Sequence, residues 1–518
     1  MRYIFLLLFS VVVLSGYSQN TKTVRGIVFD DVNKNGVPDQ GETGISNVLV
    51  SNQEQVVKTK ADGTYEISVS DPSVLFVTKP SGYEVPLNAD NLPQFYYIFQ
   101  PEGSPKLDNA GIKPTGALPA EVNFPLYKVN KKTDFKVLVL ADVQTASPTE
   151  LEYFREDVVS PALNLRFDLA LSLGDLVHDN PGLFPEYAAS MALLRVPCYN
   201  VVGNHDVNYD ADELYSDDSF KNLFGPQYYS FDYGDVHFVV LENIERFCKK
   251  GDVDAYWDCY RGRVGDKQLD WLKNDLANVP PEKLVVVCQH IAFEKVKGAG
   301  ERMRVVNRQE IFNILKNREH LLILSGHKHT LQHDYFNSDE GWQGKKELEQ
   351  IVCSAVSGSW WTGPKDERGI PSATQIDGVP NGYFLFEFNG NRFTDTFFPA
   401  GDIQEQMRIE SPVGNVGVKE PQIVVNVYNS SKYSTVTANI DGGREIGLKN
   451  KIMEDPFMVA SFKKFRDEYK SWASPSESTQ MWVGQLPNGL TKGFHTIRVT
   501  SKDEFNRIYI SNTIFEID

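Results

Sequence analysis

Cysteine is scarce in this chain: five residues in 518, at positions 198, 248, 259, 288 and 353. That is too few for a fold stapled mainly by disulfides, and none of the spacings is that of a metal-binding cysteine pair. Cys198, Cys288 and Cys353 lie in apolar, strand-like runs and read as small core residues. Cys248 and Cys259 bracket the polar stretch KKGDVDAYWD and read as a loop-closing disulfide. Positive charge is also short, with 52 Lys and Arg against 69 Asp and Glu and a formal net charge of -17. Such a surface repels nucleic acid and anionic membranes, which need a basic footprint. A phosphate-bearing substrate would therefore need a local positive centre. The apolar run from Tyr3 to Leu14, in MRYIFLLLFSVVVLSGYSQN, is shorter than the roughly 20 residues that span a bilayer. With Arg2 ahead of it and Gly16 and Ser18 placed like a peptidase site, it marks residues 1–18 as an expected secretory signal. No cysteine directly follows, so a lipid anchor has no attachment point. The expected location is exported: periplasmic, outer surface or extracellular, with no transmembrane segment after cleavage.

Length alone implies about three domains. From Thr23 to Val69 short alternating runs (TVRGIVF, GISNVLVS, GTYEISVS) are separated by Gly and Asp turns, the pattern of a small β-sandwich, assigned here to residues 19–130. Between residues 131 and 401 strands alternate with amphipathic helices, which indicates an α/β domain of packed sheets with helices outside. Ser147-Pro148 and Asp266 are the expected helix starts, and hairpins are expected at Gly234-Asp235 and Asn389-Gly390. Residues 402–518 are again strand-rich, interrupted by one helical insertion, EDPFMVASFKKFRDEYKSWA.

The chemistry gathers in the middle domain. Successive strand ends deliver Asp142, Asp175 in GD, Asn204, His205 and Asp206 in GNHD, His290, and His327 and His329 in GHKH. Loops at the carboxyl ends of strands converge on one crevice in α/β sheets. Eight of the nine histidines lie between residues 178 and 333, so imidazole is concentrated rather than scattered. Taken singly, each block is an ordinary turn or core histidine; taken together they read as a metal site.

These blocks resemble the signature of the calcineurin-like metallophosphoesterase superfamily, D-x-H, GD-x-x-D, GNH-D/E, a lone His and GH-x-H, over residues 135 to 335. The flanking segments resemble a secreted bacterial three-domain class of these proteins. The resemblance implies a four-layer α/β (α+β) sandwich of two mixed sheets flanked by helices, with N- and C-terminal β domains. It implies two divalent metals with Asp175 bridging. Asp142, residue 144 and His329 would complete one site, and Asn204, His290 and His327 the other. His205 would face a small phosphorylated substrate, with Asp206 as its orienting partner. Two cations beside only two carboxylates leave excess positive charge for an anion and would activate a water for attack on phosphorus.

Two positions depart from that signature. Gln144 stands where His is commonest; its oxygen can coordinate, and oxygen for nitrogen shifts preference toward Mn²⁺ or Mg²⁺ and away from Zn²⁺, with Fe also able to serve. His178 stands where Asp is usual, and is either a ligand supplying the missing imidazole or a hydrogen-bonding support behind another ligand. Trp360, Trp361 and Tyr383 are candidates to line a substrate pocket, and Arg261, Arg263, Arg302 and Arg304 to contact phosphate. In the first domain, DDVNKNGVPDQGE places Asp31, Asn33, Asn35, Asp39 and Glu42 at the positions of a calcium loop, although strands rather than helices flank it. The expectation is a metal-dependent hydrolase of a phosphate monoester, diester or diphosphate. The alternative is a surface protein that keeps metals for structure and binds glycans or protein partners.

Overall fold

The computed structural model describes residues 22–252, 258–295, 299–401, 404–416 and 422–518; the expected signal segment, 1–18, lies outside them. The first domain is a sandwich of two four-stranded sheets. One runs Thr64–Val69, Lys22–Asp30, Phe124–Lys128, Tyr83–Glu84, and the other Val56–Lys58, Leu49–Ser51, Ser73–Val77, Tyr96–Phe99. Lys22–Asp30 alternates exposed and buried side chains, as a strand with one solvated face should.

The middle domain holds two larger sheets. In the five-stranded sheet Cys198–Asn200, Leu169–Ser172 and Asp134–Leu140 are parallel, and the hairpin Gly382–Asn389 and Arg392–Pro399 adds to its edge. The six-stranded sheet runs Tyr229–Tyr233, Val236–Val240, Leu284–Cys288, Leu321–Ser325, Leu348–Val352, Gln332–Phe336, with the four inner strands parallel. Leu284–Cys288 is buried throughout, which explains its unbroken apolar sequence LVVVC. Side-chain parity builds the layers. Val137 and Val139 face the other sheet and share a core with Phe238, Val286 and Ile323, while Leu138 and Leu140 face Leu151, Phe154 and Tyr187 of the outer helices. Pro148–Phe154 starts as expected, with the Ser147 hydroxyl capping the amide of Glu150.

The last domain is a second β-sandwich around Ile423, Val425, Val436, Val499 and Phe515. Its helical insertion forms Pro456–Lys464, capped by Asp455, whose side chain accepts from the amide of Met458. The two bracketing cysteines form the expected disulfide, Cys248–Cys259, with Cα atoms 5.6 Å apart, and Cys198, Cys288 and Cys353 are buried thiols. Among the described residues no helix is long and apolar enough to cross a membrane.

Candidate metal centre

All the parallel strands of the middle domain end on the same side, and the metal-type residues follow those ends by two to five positions. Ala141 bridges to Ala355 in parallel, so the two sheets close toward one another there. The loops are tight enough to be strained. Asp142, Gln144, Asp175, His327 and His329 all have left-handed backbones, with φ of 49°, 46°, 52°, 73° and 53°. Each such residue costs on the order of 1–3 kcal/mol, and clusters of them mark functional loops. Hydrogen bonds between loops hold them: Gln144 N to Asp175 O at 2.8 Å, and His327 N to the Asp142 carboxylate at 2.9 and 3.0 Å. Two motif glycines are fixed by this crowding. A Cβ at Gly203 would stand 2.1 Å from the Asp175 amide nitrogen, and one at Gly326 2.4 Å from Asp142 Oδ2.

Four acceptor atoms converge at the centre. His290 Nε2 lies 3.2 Å from Asp175 Oδ2, 3.1 Å from Asn204 Oδ1 and 3.2 Å from His327 Nδ1. The far nitrogens of the rings are committed to backbone carbonyls: His290 Nδ1 to Leu173 O at 2.8 Å, His327 Nε2 to Arg302 O at 3.0 Å, and His329 Nδ1 to Gly358 O at 2.5 Å. A nitrogen that donates outward turns its lone pair inward. The inward atoms of His290, His327, Asn204 and Asp175 therefore face one another: without a metal a proton on His290 Nε2 sits among them, and a divalent cation can take that proton's place. His329 Nε2 points at Asp142 Oδ1, 3.8 Å away, which begins a second group of donors. The donor set of nitrogen, carboxamide and carboxylate atoms fits two divalent metal ions. Without them, burial opposes protonation of His290, but the Asp175 and Asp142 carboxylates override it and hold the imidazole up at about 9. Burial pushes Asp142 up, and it also works against ionisation of Asp175, which His290 and His205 nevertheless keep well below the usual carboxylate range.

Gln144 is within this array. Its Nε2 donates to Asp175 Oδ2 at 3.1 Å, and a half-turn of the carboxamide puts Oε1 in the same place. His178 belongs to a different group, with Asp179 and His205. Its ring stacks flat on His205, centroids 4.5 Å apart, so it is placed to fix the plane of that imidazole.

The partner expected for His205 is corrected. Asp206 is fully buried, and its carboxylate accepts from the amides of Leu176 at 2.8 Å, Val177 at 3.1 Å and Gly203 at 2.8 Å, tying the GD loop to the GNHD loop. The carboxylate against His205 Nδ1, at 2.5 Å, is Asp179, which also accepts from the hydroxyl of Tyr209. His205 Nε2 is directed to the metal-type cluster, 4.0 Å from Asp175 Oδ2. Only the order of residues in VHDN could have hinted at this, since Asp179 and Tyr209 reach His205 from separate loops.

The expected pocket lining divides. Trp360 stacks on His329 at 4.3 Å and is only half-buried. Trp361 is buried beneath the site, its indole N–H donating to Val143 O at 2.9 Å. Tyr383 is a core residue: it pairs with Phe398 across the edge hairpin and stacks on it, because its strand parity turns it toward the helices. The arginines are mostly spoken for. Arg261 and Arg263 pair with Glu245, Arg302 pairs with Asp258, and Arg304 Nε donates to Ala299 O. It is the backbone of Arg302 that enters the site. Tyr260, the residue after Cys259 of the disulfide, borders it too, packing edge-on against His327. A surface cleft of about 860 Å³, lined by Asp134, Phe135 and Arg392, opens at the opposite ends of these strands and has no part in the cluster.

In the first domain the five calcium-type residues do come together. Asp31 accepts from the amides of Asn35 and Gly36, Glu42 from those of Val32 and Asp39, and Asp39 from the carboxamides of Asn33 and Asn35.

Three family models match the chain in order: the N terminal of calcineurin-like phosphoesterase over residues 32–113, calcineurin-like phosphoesterase over 135–331, and the C terminal of calcineurin-like phosphoesterase over 351–509. The chain belongs to the calcineurin-like phosphoesterase family, in the form that carries both terminal domains. It is similar to a 3',5'-cyclic-nucleotide phosphodiesterase of Nostoc sp., 25% identical over 170 residues, which are 32% of this chain and 58% of that protein. It is also similar to the 3',5'-cyclic adenosine monophosphate phosphodiesterase CpdA of Escherichia coli, 24% identical over 187 residues, 35% of this chain and 59% of that protein. The chain thus spans less than two thirds of the length of either relative. Among solved structures, a dimetal phosphatase from Danio rerio aligns with a TM-score of 0.37 and 13% identity over 51% of this chain and 95% of that one. A purple acid phosphatase from yellow lupin aligns with a TM-score of 0.39 and 12% identity over 70% of each.

Proposed function

We propose that this chain is an exported, metal-dependent phosphoesterase that hydrolyses a small phosphorylated substrate at the centre built on Asp142, Gln144, Asp175, Asn204, His290, His327 and His329. The observation that carries the reading is the convergence of ligand-type atoms from four loops, with the far nitrogens of the two histidine rings bonded to backbone carbonyls. Two divalent cations held there would acidify a water and polarise phosphoryl oxygens. The rest falls to the protein. His205 is held at Nδ1 by Asp179 and flanked by the ring of His178, so its Nε2 is aimed at the space above Asp175. From there it can stabilise charge developing on the phosphoryl group and give a proton to the leaving oxygen. Gln144 favours manganese as the native ion, because a carboxamide oxygen is a harder donor than imidazole. The similar cyclic-nucleotide phosphodiesterases make phosphodiesters the first substrates to test. The disulfide Cys248–Cys259 beside the site suits an oxidising compartment and supports export.

The test is hydrolysis of bis(4-nitrophenyl) phosphate and 4-nitrophenyl phosphate by purified protein with Mn²⁺, Mg²⁺, Zn²⁺ or Fe²⁺. Activity highest with Mn²⁺, removed by chelator and lost in Asn204→Ala, is expected. Hydrolysis of neither ester with any of the ions would leave the binding-protein reading in its place.

A further inference from the structure

Among the described residues Trp472 is the one tryptophan that is largely exposed, at 59% of its surface. It belongs to the helical insertion of the C-terminal domain, yet it stands at the rim of the metal centre. Its ring meets Trp360 edge to face, centroids 6.2 Å apart at 71°, and Trp360 is the ring stacked on His329. Lys470 Nζ lies 5.7 Å from the centre of the Trp472 ring.

The segment is held in that place. Met458, Phe462, Tyr469 and Ala473 form a small core of their own, and Trp360 and Ile376 of the middle domain pack against it. Gly363 N donates to Glu468 O and Ser476 N to Ile376 O, both at 2.9 Å, so backbone bonds on either side of Trp472 tie the insertion to the loop that carries Trp360. Asp455, which caps the helix, is in turn bonded by Arg408, whose guanidinium also reaches Gly378 O. An indole fixed by its neighbours but bare on its own surface offers a stacking face at little ordering cost.

We propose that the C-terminal domain completes the substrate site, with Trp472 and Lys470 forming a rim subsite for the flat aromatic ring of a nucleotide-type phosphoester whose phosphate lies at the metal centre. This rests on the phosphoesterase reading above. Two indoles at a steep angle make a corner in which a planar ring stacks on one face and meets the edge of the other, and the lysine supplies a positive charge beside it. Trp472 acts on selection and binding, not on the bond that breaks.

The experiment uses the whole chain loaded with its activating metal. Calorimetry compares binding of adenosine 5'-monophosphate and methyl phosphate, and kinetics compare thymidine 5'-(4-nitrophenyl) phosphate with methyl 4-nitrophenyl phosphate, which share a leaving group. The ring-bearing member is preferred in the wild type. Trp472→Ala lowers that preference about tenfold, chiefly through KM, since base stacking on an aromatic side chain commonly carries an effect of that size. Trp472→Phe restores most of it. A preference left unchanged by Trp472→Ala, or an equal loss for the methyl compounds, overturns the proposal alone. If neither phosphate compound binds and no phosphoester is cleaved, the phosphoesterase reading fails and takes the proposal with it.

Discussion

Replacing Asp179 by Asn separates the two carboxylates that a GNHD motif could assign to its histidine. In the protein Asp179 sits 2.5 Å from His205 Nδ1 and accepts a second bond from Tyr209, whereas Asp206 spends its oxygens on three backbone amides. A hydrogen bond involving a charged group contributes about 1.5–3 kcal/mol net. If that interaction is what aims His205 Nε2 and favours its protonated form, losing it lowers kcat by about 10- to 100-fold, at roughly 1.4 kcal/mol per factor of ten. The loss should depend on the leaving group. 4-Nitrophenolate departs without a proton, so its ester suffers little, while an alkyl ester that needs the proton suffers the full loss. The assay is kcat for both esters in Asp179→Asn and Asp206→Asn with metal content measured in parallel. Asp206→Asn should instead show lowered thermal stability and metal content with no leaving-group signature, because it loosens two loops. Equal losses for the two esters in Asp179→Asn, or the leaving-group signature in Asp206→Asn, would refute the assignment.

Gln144→Ala is expected to lower bound metal toward one ion per chain by elemental analysis, while His178→Ala keeps both, since Gln144 touches Asp175 and His178 groups with His205. Calcium added to chelator-treated protein should raise the midpoint of thermal unfolding, and Glu42→Gln should abolish the rise; a ligand at a hundredfold excess over its Kd stabilises by about 2.7 kcal/mol. Far from the metals, His237 is clamped between Asp232 and Asp275 at 2.8 Å on each ring nitrogen; burial opposes its protonation, but the two carboxylates hold it up at about 9. Its folded pKa exceeds the unfolded 6.5, so its contribution is full below pH 6.5 and is lost as pH rises through 9, on the order of 3 kcal/mol. Urea unfolding at pH 6 and at pH 10 should show that loss in the wild type and not in His237→Gln.

The strand ends were legible because each puts a glycine and a metal-type residue at a point where an apolar run stops, and that pattern is local. What joins residues across loops was not. Asp179 meets His205 only because the GD and GNHD loops are bound to each other through Asp206, and neither motif encodes the other's position. Tyr383 was misplaced for a reason of parity: one residue along a strand decides between core and cavity, and its pairing opposite Phe398 settles it for the core. The arginines failed for a different reason, since Arg261 and Arg263 share Glu245 and Arg302 pairs with Asp258, partners that their own positions in the sequence do not name. The fold class was easier to read than any of these, because alternation of buried runs and amphipathic helices fixes layers without fixing partners.

The same geometry explains what a glutamine gains at position 144. An imidazole ligand has two nitrogens, and each of His290, His327 and His329 is supplied with a backbone carbonyl for the nitrogen that does not face the centre. Among the described residues, the atoms bonded to the Gln144 side chain are the Asp175 carboxylate and the Ser357 hydroxyl, with no carbonyl among them. A histidine there would carry an outward N–H with a hydroxyl as its only nearby partner, whereas a carboxamide presents its oxygen without needing an anchor behind it. The sequence departure and the missing carbonyl are thus one feature: the loop after Asp142 is built for a ligand that orients itself. On that reasoning Gln144→His is a new site and not a restored one, with softer donors and a looser ring, and its ion preference moves toward Zn²⁺ without the occupancy that a fully anchored histidine would give.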